Sequence, residues 1–231
     1  MNCKITDFWR DLKTSPINTI ARWQDARFLW IVMAAAAMML LLTAHNLFQH
    51  YVYMAPCEQC VYIRFAFFCM VFGGIIASIK PSQIVLKIVG YILGFWGIIQ
   101  GIMYSIKLNT IHHAAHGDDP FGVQGCSAEP SFPLGLPLDS WFPDWFLPTG
   151  ACGFDNPIPP EGVEFSALQQ WLIDFYSEGW YLIPSMHLVN MAQACLFAFI
   201  VCFILLGAMC ISWIIRDLFR KDNNQTIEDI N

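Results

Sequence analysis

The chain has 231 residues, of which 56% are hydrophobic and only 13% charged, with a mean hydropathy of +0.48 and a formal net charge of −6. So apolar a composition excludes an ordinary soluble domain, and the acidic balance gives no footing for nucleic-acid binding. A membrane protein is expected.

After 27 polar-rich residues, Phe28 to Phe48 reads as a first span; Cys60 to Ile79, holding only Arg64, reads as a second. A third is expected over 84–106, uncharged from Ile88 to Ile106. The last lies in the uncharged stretch Gly179 to Ile215, where Pro184 sets the helix start near Met186, giving 186–215. Each supplies the roughly 20 residues needed to cross about 30 Å of hydrocarbon. The expected fold is an all-α membrane protein, a four-helix transmembrane bundle with loops at 49–59 and 107–185 and a tail at 216–231.

Ten of the twelve basic residues sit before the first span, in the turn at Lys80 and Lys87, or after the last span; Arg64 and Lys107 are the exceptions. Because loops carrying Lys and Arg stay in the cytoplasm, both termini are expected there and both intervening loops face outward. The length of polar chain before the first span, without an A-x-A site at a suitable distance, reads as an uncleaved anchor.

The second outward loop is distinctive. Leu108 to Ser185 holds ten acidic residues, no Lys or Arg, and ten of the thirteen prolines. It predicts a mostly irregular segment whose field attracts basic partners and repels acidic ones. Within it, Leu168, Trp171, Leu172, Phe175 and Tyr176 recur at helical spacing behind Ser166 and Gln169, which are placed as a capping box. Leu138, Trp141, Phe142, Trp145 and Phe146 form a second aromatic stretch. Both read as short interfacial helices, since aromatic residues anchor chains at the membrane surface. In the third span, Gly90, Gly94, Gly97 and Gly101 place small residues on one face for close helix packing.

The nine cysteines sort by compartment. Cys3 is cytoplasmic, while Cys69, Cys195, Cys202 and Cys210 lie within spans as small apolar residues. Cys57, Cys60, Cys126 and Cys152 face outward, where disulfides persist, and four thiols allow three pairings. A zinc site competes, but Cys126 and Cys152 are 26 apart and make no close pair. A scaffold with purely structural disulfides is the alternative from another class. Against it, a disulfide across C-x-x-C encloses too short a loop to stabilise much, which suits a bond that is made and broken. A second span beginning near Cys60 also puts that sulfur at a helix N-terminus, where a thiolate is favoured. Arg64 then lies one turn deeper on the same face, able to hold both the thiolate and a carbonyl oxygen of a bound carrier.

C-x-x-C-x-x-x-R at the start of the second of four spans, G-C-S at Cys126, and L-P-L-D-S-W-F-P-D-W-F-L-P-T-G-A-C-G ending at Gly153 together resemble the disulfide bond formation protein B family, most closely its DsbI branch. The resemblance implies a bacterial inner-membrane enzyme that reoxidises a periplasmic thioredoxin-fold dithiol oxidase, DsbA- or DsbL-like, and passes electrons to ubiquinone or menaquinone. It further implies resting pairs Cys57–Cys60 and Cys126–Cys152. Cys126 would be attacked by the partner, Cys152 would exchange with Cys57, and Cys60 would engage the quinone. Arg64 would polarise the quinone, with His112 and His113 as candidates for its other oxygen. The acidic loop adds the expectation of a dedicated, basic partner. Two features depart from the family: Glu58 and Gln59 replace a more usual apolar pair, and the segment after Cys152 is long. A vitamin K epoxide reductase-type enzyme is disfavoured because its C-x-x-C lies near the end of the bundle sequence.

Overall fold

The computed structural model describes residues 13–14, 16–116 and 126–228. Cys3, Lys4 and Arg10, and the loop residues Asp118 and Asp119, lie outside the described residues.

Four helices are long and apolar enough to cross a membrane. A short helix α1 (Pro16–Trp23) precedes α2, which runs from Arg27 to Leu42 and continues as a π-helical segment, Thr43–Tyr51. Cys57 then caps α3 (Glu58–Ile79): its backbone is extended and its Sγ accepts a hydrogen bond from the Cys60 N–H at 3.2 Å. Glu58 in the first turn suits the positive end of the helix dipole. The helix stops at Lys80 because Pro81 follows and disfavours helical backbone in the residue before it.

Helix α4 (Ile84–Ala115) runs well past the expected end at Ile106. His112 and His113 therefore lie on the helix itself and not in the loop beyond it. The acidic loop contributes short helices α5 (Leu138–Trp141), α6 (Pro143–Phe146) and α7 (Ala167–Phe175). It ends in an unexpected antiparallel hairpin, β1 (Tyr181–Ile183) and β2 (Leu188–Asn190), in which Tyr181 pairs with Asn190. The last helix, α8 (Met191–Glu228), thus starts later than Met186. Asn190 fixes that start: its Oδ1 accepts from the Gln193 N–H at 2.8 Å, and Gln193 Oε1 accepts from the Asn190 N–H at 3.2 Å. This reciprocal pair is a capping box.

Helix α3 is the most enclosed of the four, and the glycines of α4 explain how closely its neighbours approach. They serve two partners instead of the single expected face. A Cβ on Gly90 would stand 2.6 Å from the Ala77 Cβ, and one on Gly97 2.6 Å from the Ala66 carbonyl, both on α3. On Gly101 it would enter the ring of Phe199, on α8.

The two aromatic stretches divide differently from expectation. Ser166 does cap α7, accepting from the Gln169 N–H, but the Gln169 side chain donates to the Tyr51 carbonyl at 2.9 Å and so ties α7 to the end of α2. Ile173 is buried, whereas Leu168, Trp171 and Phe175 are exposed. In the other stretch Trp141 and Phe142 are exposed, but Phe146 packs on Val61, Tyr62 and Phe132 in the core.

At the end of the bundle away from the cysteines, the buried Lys87 and the half-buried Arg216 both pair with Asp25, Arg216 at 2.8 Å. Burial alone would raise the Asp25 carboxyl, but the hydrogen bonds and charges of Lys87 and Arg216 outweigh it and hold the pKa below 3.8. Next to it, Tyr91 donates to Gln24 Oε1 at 2.6 Å, and the Trp30 indole donates to the Gln24 carbonyl.

Candidate active site

Cys57 and Cys60 form one disulfide and Cys126 and Cys152 another. Docking of the acidic loop brings them to the same end of the bundle. The N–H groups of Thr149 and Gly150 both donate to the Pro56 carbonyl, at 2.9 and 3.0 Å, so the segment approaching Cys152 lies on the segment approaching Cys57. Gly150 is required there, since a Cβ would stand 2.4 Å from the Ala55 carbonyl oxygen.

Glu58, unexpected between the paired cysteines, holds the other side of that loop. One carboxylate oxygen accepts from the Ser127 N–H at 2.9 Å and the other from the Tyr62 hydroxyl at 3.1 Å. Tyr62 in turn accepts from the Ser131 N–H at 2.8 Å. The Glu58 carboxylate comes within 4.8 Å of both Cys126 and Cys152 sulfurs. Thus the residue that departs from the family pattern beside one disulfide is an anchor for the other. Its neighbour Gln59 is buried with neither side-chain amide atom hydrogen-bonded among the described residues, and nothing in the structure explains it.

Each disulfide has one buried sulfur partner and one more open. Cys57 and Cys152 are 4% and 5% exposed, whereas Cys60 and Cys126 are half-buried. Cys126 is therefore the accessible member of the outer pair.

A cavity of 340 Å³ lies among α2, α3, α4, α8 and the loop around Ala151 to Asp155. Its walls are mostly apolar, Phe67 and Leu108 among them, with Cys57, Cys60, Arg64 and His112 supplying sulfur and polar groups. The volume is within the range of about 300–1,000 Å³ usual for small-molecule sites, and the lining has the same pattern of few polar groups in an apolar pocket.

Arg64 is buried, 6% exposed. One guanidinium nitrogen donates to Gln49 Oε1 at 2.6 Å and to the Trp145 carbonyl at 3.2 Å. Among the described residues no carboxylate lies within ion-pairing distance of it. Gln49 is itself oriented by donating to the Asp144 carbonyl at 2.9 Å. His112 is buried, its Nε2 3.5 Å from the Tyr181 hydroxyl and its Nδ1 3.4 Å from the Asn190 amide, so the hairpin positions it. His113 is exposed and does not line the cavity, which leaves His112 as the histidine facing it. Asp155, at the cavity edge, has its carboxyl pushed up by burial.

The structure brings the expected Cys57, Cys60, Arg64 and His112 to one cavity with Cys126–Cys152 docked beside it; Gln49 and Tyr62 were not among the expected site residues, and Trp145 was expected only as an interfacial aromatic residue. The polar run His45, Asn46, Gln49, His50 at the C-terminal end of an otherwise apolar span was the available signal for Gln49.

The family described as disulfide bond formation protein DsbB matches residues 26–210. The chain belongs to that family. A DsbI-named relative from Campylobacter fetus subsp. fetus is 64% identical over 210 residues, covering 91% of this chain and 98% of its own. The protein-disulfide oxidoreductase DsbI of Salmonella typhimurium is 57% identical over 217 residues, covering 92% and 96%. That of Escherichia coli O1:K1 is 54% identical over 217 residues, covering 92% and 97%. The chain is thus a multi-pass membrane disulfide oxidoreductase of the DsbI-like branch.

Proposed function

We propose that the protein is an inner-membrane thiol:quinone oxidoreductase that reoxidises a periplasmic thioredoxin-fold dithiol oxidase, with both termini cytoplasmic and the cysteine-bearing loops periplasmic. The observation that carries this reading is that Cys57, Cys60, Arg64 and His112 share one apolar cavity, at whose rim the second disulfide is docked.

The partner's thiolate attacks the half-exposed Cys126, forming a mixed disulfide and releasing Cys152 as a thiolate. The partner's second thiol then resolves that bond, leaving the partner oxidised and Cys126 reduced. Cys152 exchanges with Cys57, which frees Cys60 at the N-terminus of α3, where unpaired N–H groups favour its thiolate. Cys126 then attacks Cys152, re-forming the Cys126–Cys152 disulfide and releasing Cys57 as a thiol. Re-forming Cys57–Cys60 requires two electrons and two protons to leave. Cys57, Cys60, Arg64 and His112 line the cavity that would hold a membrane quinone, which would supply the acceptor for both electrons and both protons. Arg64 and His112 both line that cavity, and its mostly apolar walls keep water from the exposed thiolate.

The ten carboxylates of the acidic loop, without Lys or Arg, suit a dedicated partner with a basic surface. The test is oxidation of a reduced DsbA-type protein by the purified enzyme with ubiquinone or menaquinone supplied. Turnover should depend on quinone, fall to background in Cys60→Ser and in Cys126→Ser, and slow as salt rises for a basic partner. Quinone-independent turnover, or full turnover in Cys60→Ser, would overturn the reading.

A further inference from the structure

We infer that His45, His50 and Asp144 form a binding site for one divalent transition-metal ion of the class that prefers imidazole ligands, to which Zn²⁺ belongs. The His45 Nε2 is 3.2 Å from one Asp144 carboxylate oxygen and the His50 Nε2 is 3.2 Å from the other. All three ligand atoms lie within 4.8 Å of one another. Bonds of about 2.0–2.1 Å in a tetrahedron separate neighbouring ligands by roughly 3.3 Å, and each histidine nitrogen stands at that spacing from one of the two Asp144 oxygens.

The backbone explains how the two rings meet. In an α-helix, five residues overshoot a full turn by about 140°, which would send His45 and His50 to different faces. The segment Thr43–Tyr51 is π-helical, and its wider turn places residues five apart on one face. Ring centroids 4.6 Å apart are the result. A π-helical stretch is rare and its hydrogen bonding less favourable than that of an α-helix, and such stretches often mark functional sites. The one here assembles the histidine pair opposite α6. The His45 ring is further fixed by stacking on Trp145, with centroids 3.7 Å apart.

Access and ligand chemistry agree. His45 is buried, but the side chains of His50 and Asp144 are 51% and 56% exposed, so an ion in solution reaches the site and a fourth position stays open to water. Two imidazoles and one carboxylate suit Zn²⁺, Cu²⁺ or Ni²⁺ and not Mg²⁺ or Ca²⁺, which take oxygen ligands. The site stands apart from the cysteines yet borders Arg64. Gln49 donates to the Asp144 carbonyl and accepts from Arg64, and Trp145, next to Asp144, gives Arg64 its other acceptor. A bound ion would clamp α6 to α2 and so fix both acceptors of that guanidinium.

The test uses tag-free, full-length protein in detergent with all four outward cysteines oxidised. Zn²⁺ is titrated by calorimetry and Co²⁺ by visible absorption. One equivalent should bind, with intense tetrahedral Co²⁺ bands that Zn²⁺ removes. His50→Gln and Asp144→Asn, each checked for native helix content, should weaken binding by about tenfold or more. His187→Gln, in the exposed pair with Glu178, should change nothing. No saturable binding by the unaltered protein, or binding that survives both His50→Gln and Asp144→Asn, would overturn the inference.

Discussion

At one end of the bundle Lys87 meets the carboxylate of Asp25, which also receives Arg216; at the cysteine end Arg64, equally buried, rests on the neutral oxygens of Gln49 and Trp145. A buried cation is costly in either place unless it is paired or hydrogen-bonded. The Asp25 cluster matches its buried lysine with a carboxylate and leaves the surplus positive charge on the half-buried Arg216, which also donates to the Ala21 carbonyl. The Arg64 arrangement gives one guanidinium nitrogen two neutral acceptors and no carboxylate partner, as a site for an oxygen in the cavity would require. Two similar problems of burial thus receive a charge-paired solution at one end and an unpaired one at the other, and the proposed quinone site rests on the second.

The comparison breaks most visibly at Asp25. Asp25→Ala leaves Lys87 buried without a counter-charge and should cost about 2–3 kcal/mol of stability, less than a fully buried pair because Asp25 is partly exposed. Its pH dependence has a definite sign. The folded carboxyl is held below 3.8, so its stabilisation is present above that value and is lost as pH falls through the lower folded value. Thermal unfolding in detergent between pH 3 and 6 checks both effects, and quinone kinetics of the folded fraction should stay unchanged.

Arg64→Met should do the reverse. The variant should fold, yet the quinone KM should rise about tenfold, equivalent to about 1.4 kcal/mol. Arg64→Lys should recover only part of the loss, because one ammonium cannot reproduce the geometry of the planar fork. Normal quinone kinetics in Arg64→Met would erase the distinction between the two ends. Gln49→Leu should give the smallest effect, about threefold in KM or 0.7 kcal/mol, since Trp145 still holds the guanidinium. Measuring it beside Arg64→Met separates positioning from charge.

What could be read in the sequence follows the range over which each signal acts. The four spans are written in local hydropathy, and Cys57, Cys60 and Arg64 in a short spacing at the start of one helix. Helix ends were harder. Asn190 and Gln193 spell out a capping box, but within a long uncharged stretch Pro184 was the more visible marker and put the start of α8 too early. The π-helical turn carries no periodic signature, so the convergence of His45, Gln49 and His50 on Asp144 was invisible. Glu58 read only as a departure from the family's apolar pair because its real contact, the Ser127 N–H, is 69 positions away. Long-range hydrogen bonds of this kind depend on loop docking, which the local pattern does not encode.

The central claim is that electrons pass from the outer disulfide to the inner one and leave from the cavity beside Arg64. Timed thiol trapping with mass detection tests it most directly, using quinone-depleted protein, a reduced DsbA-type partner, and quinone added in a second step. Cys126–Cys152 should open first and the Cys57 and Cys60 thiols appear next. Quinone should then close the inner pair, rapidly in the unaltered protein and slowly in Arg64→Met, with the first step unchanged. Quinone-dependent oxidation of the partner while Cys57 and Cys60 are held blocked by alkylation, or with all four thiols inaccessible throughout, would contradict the account.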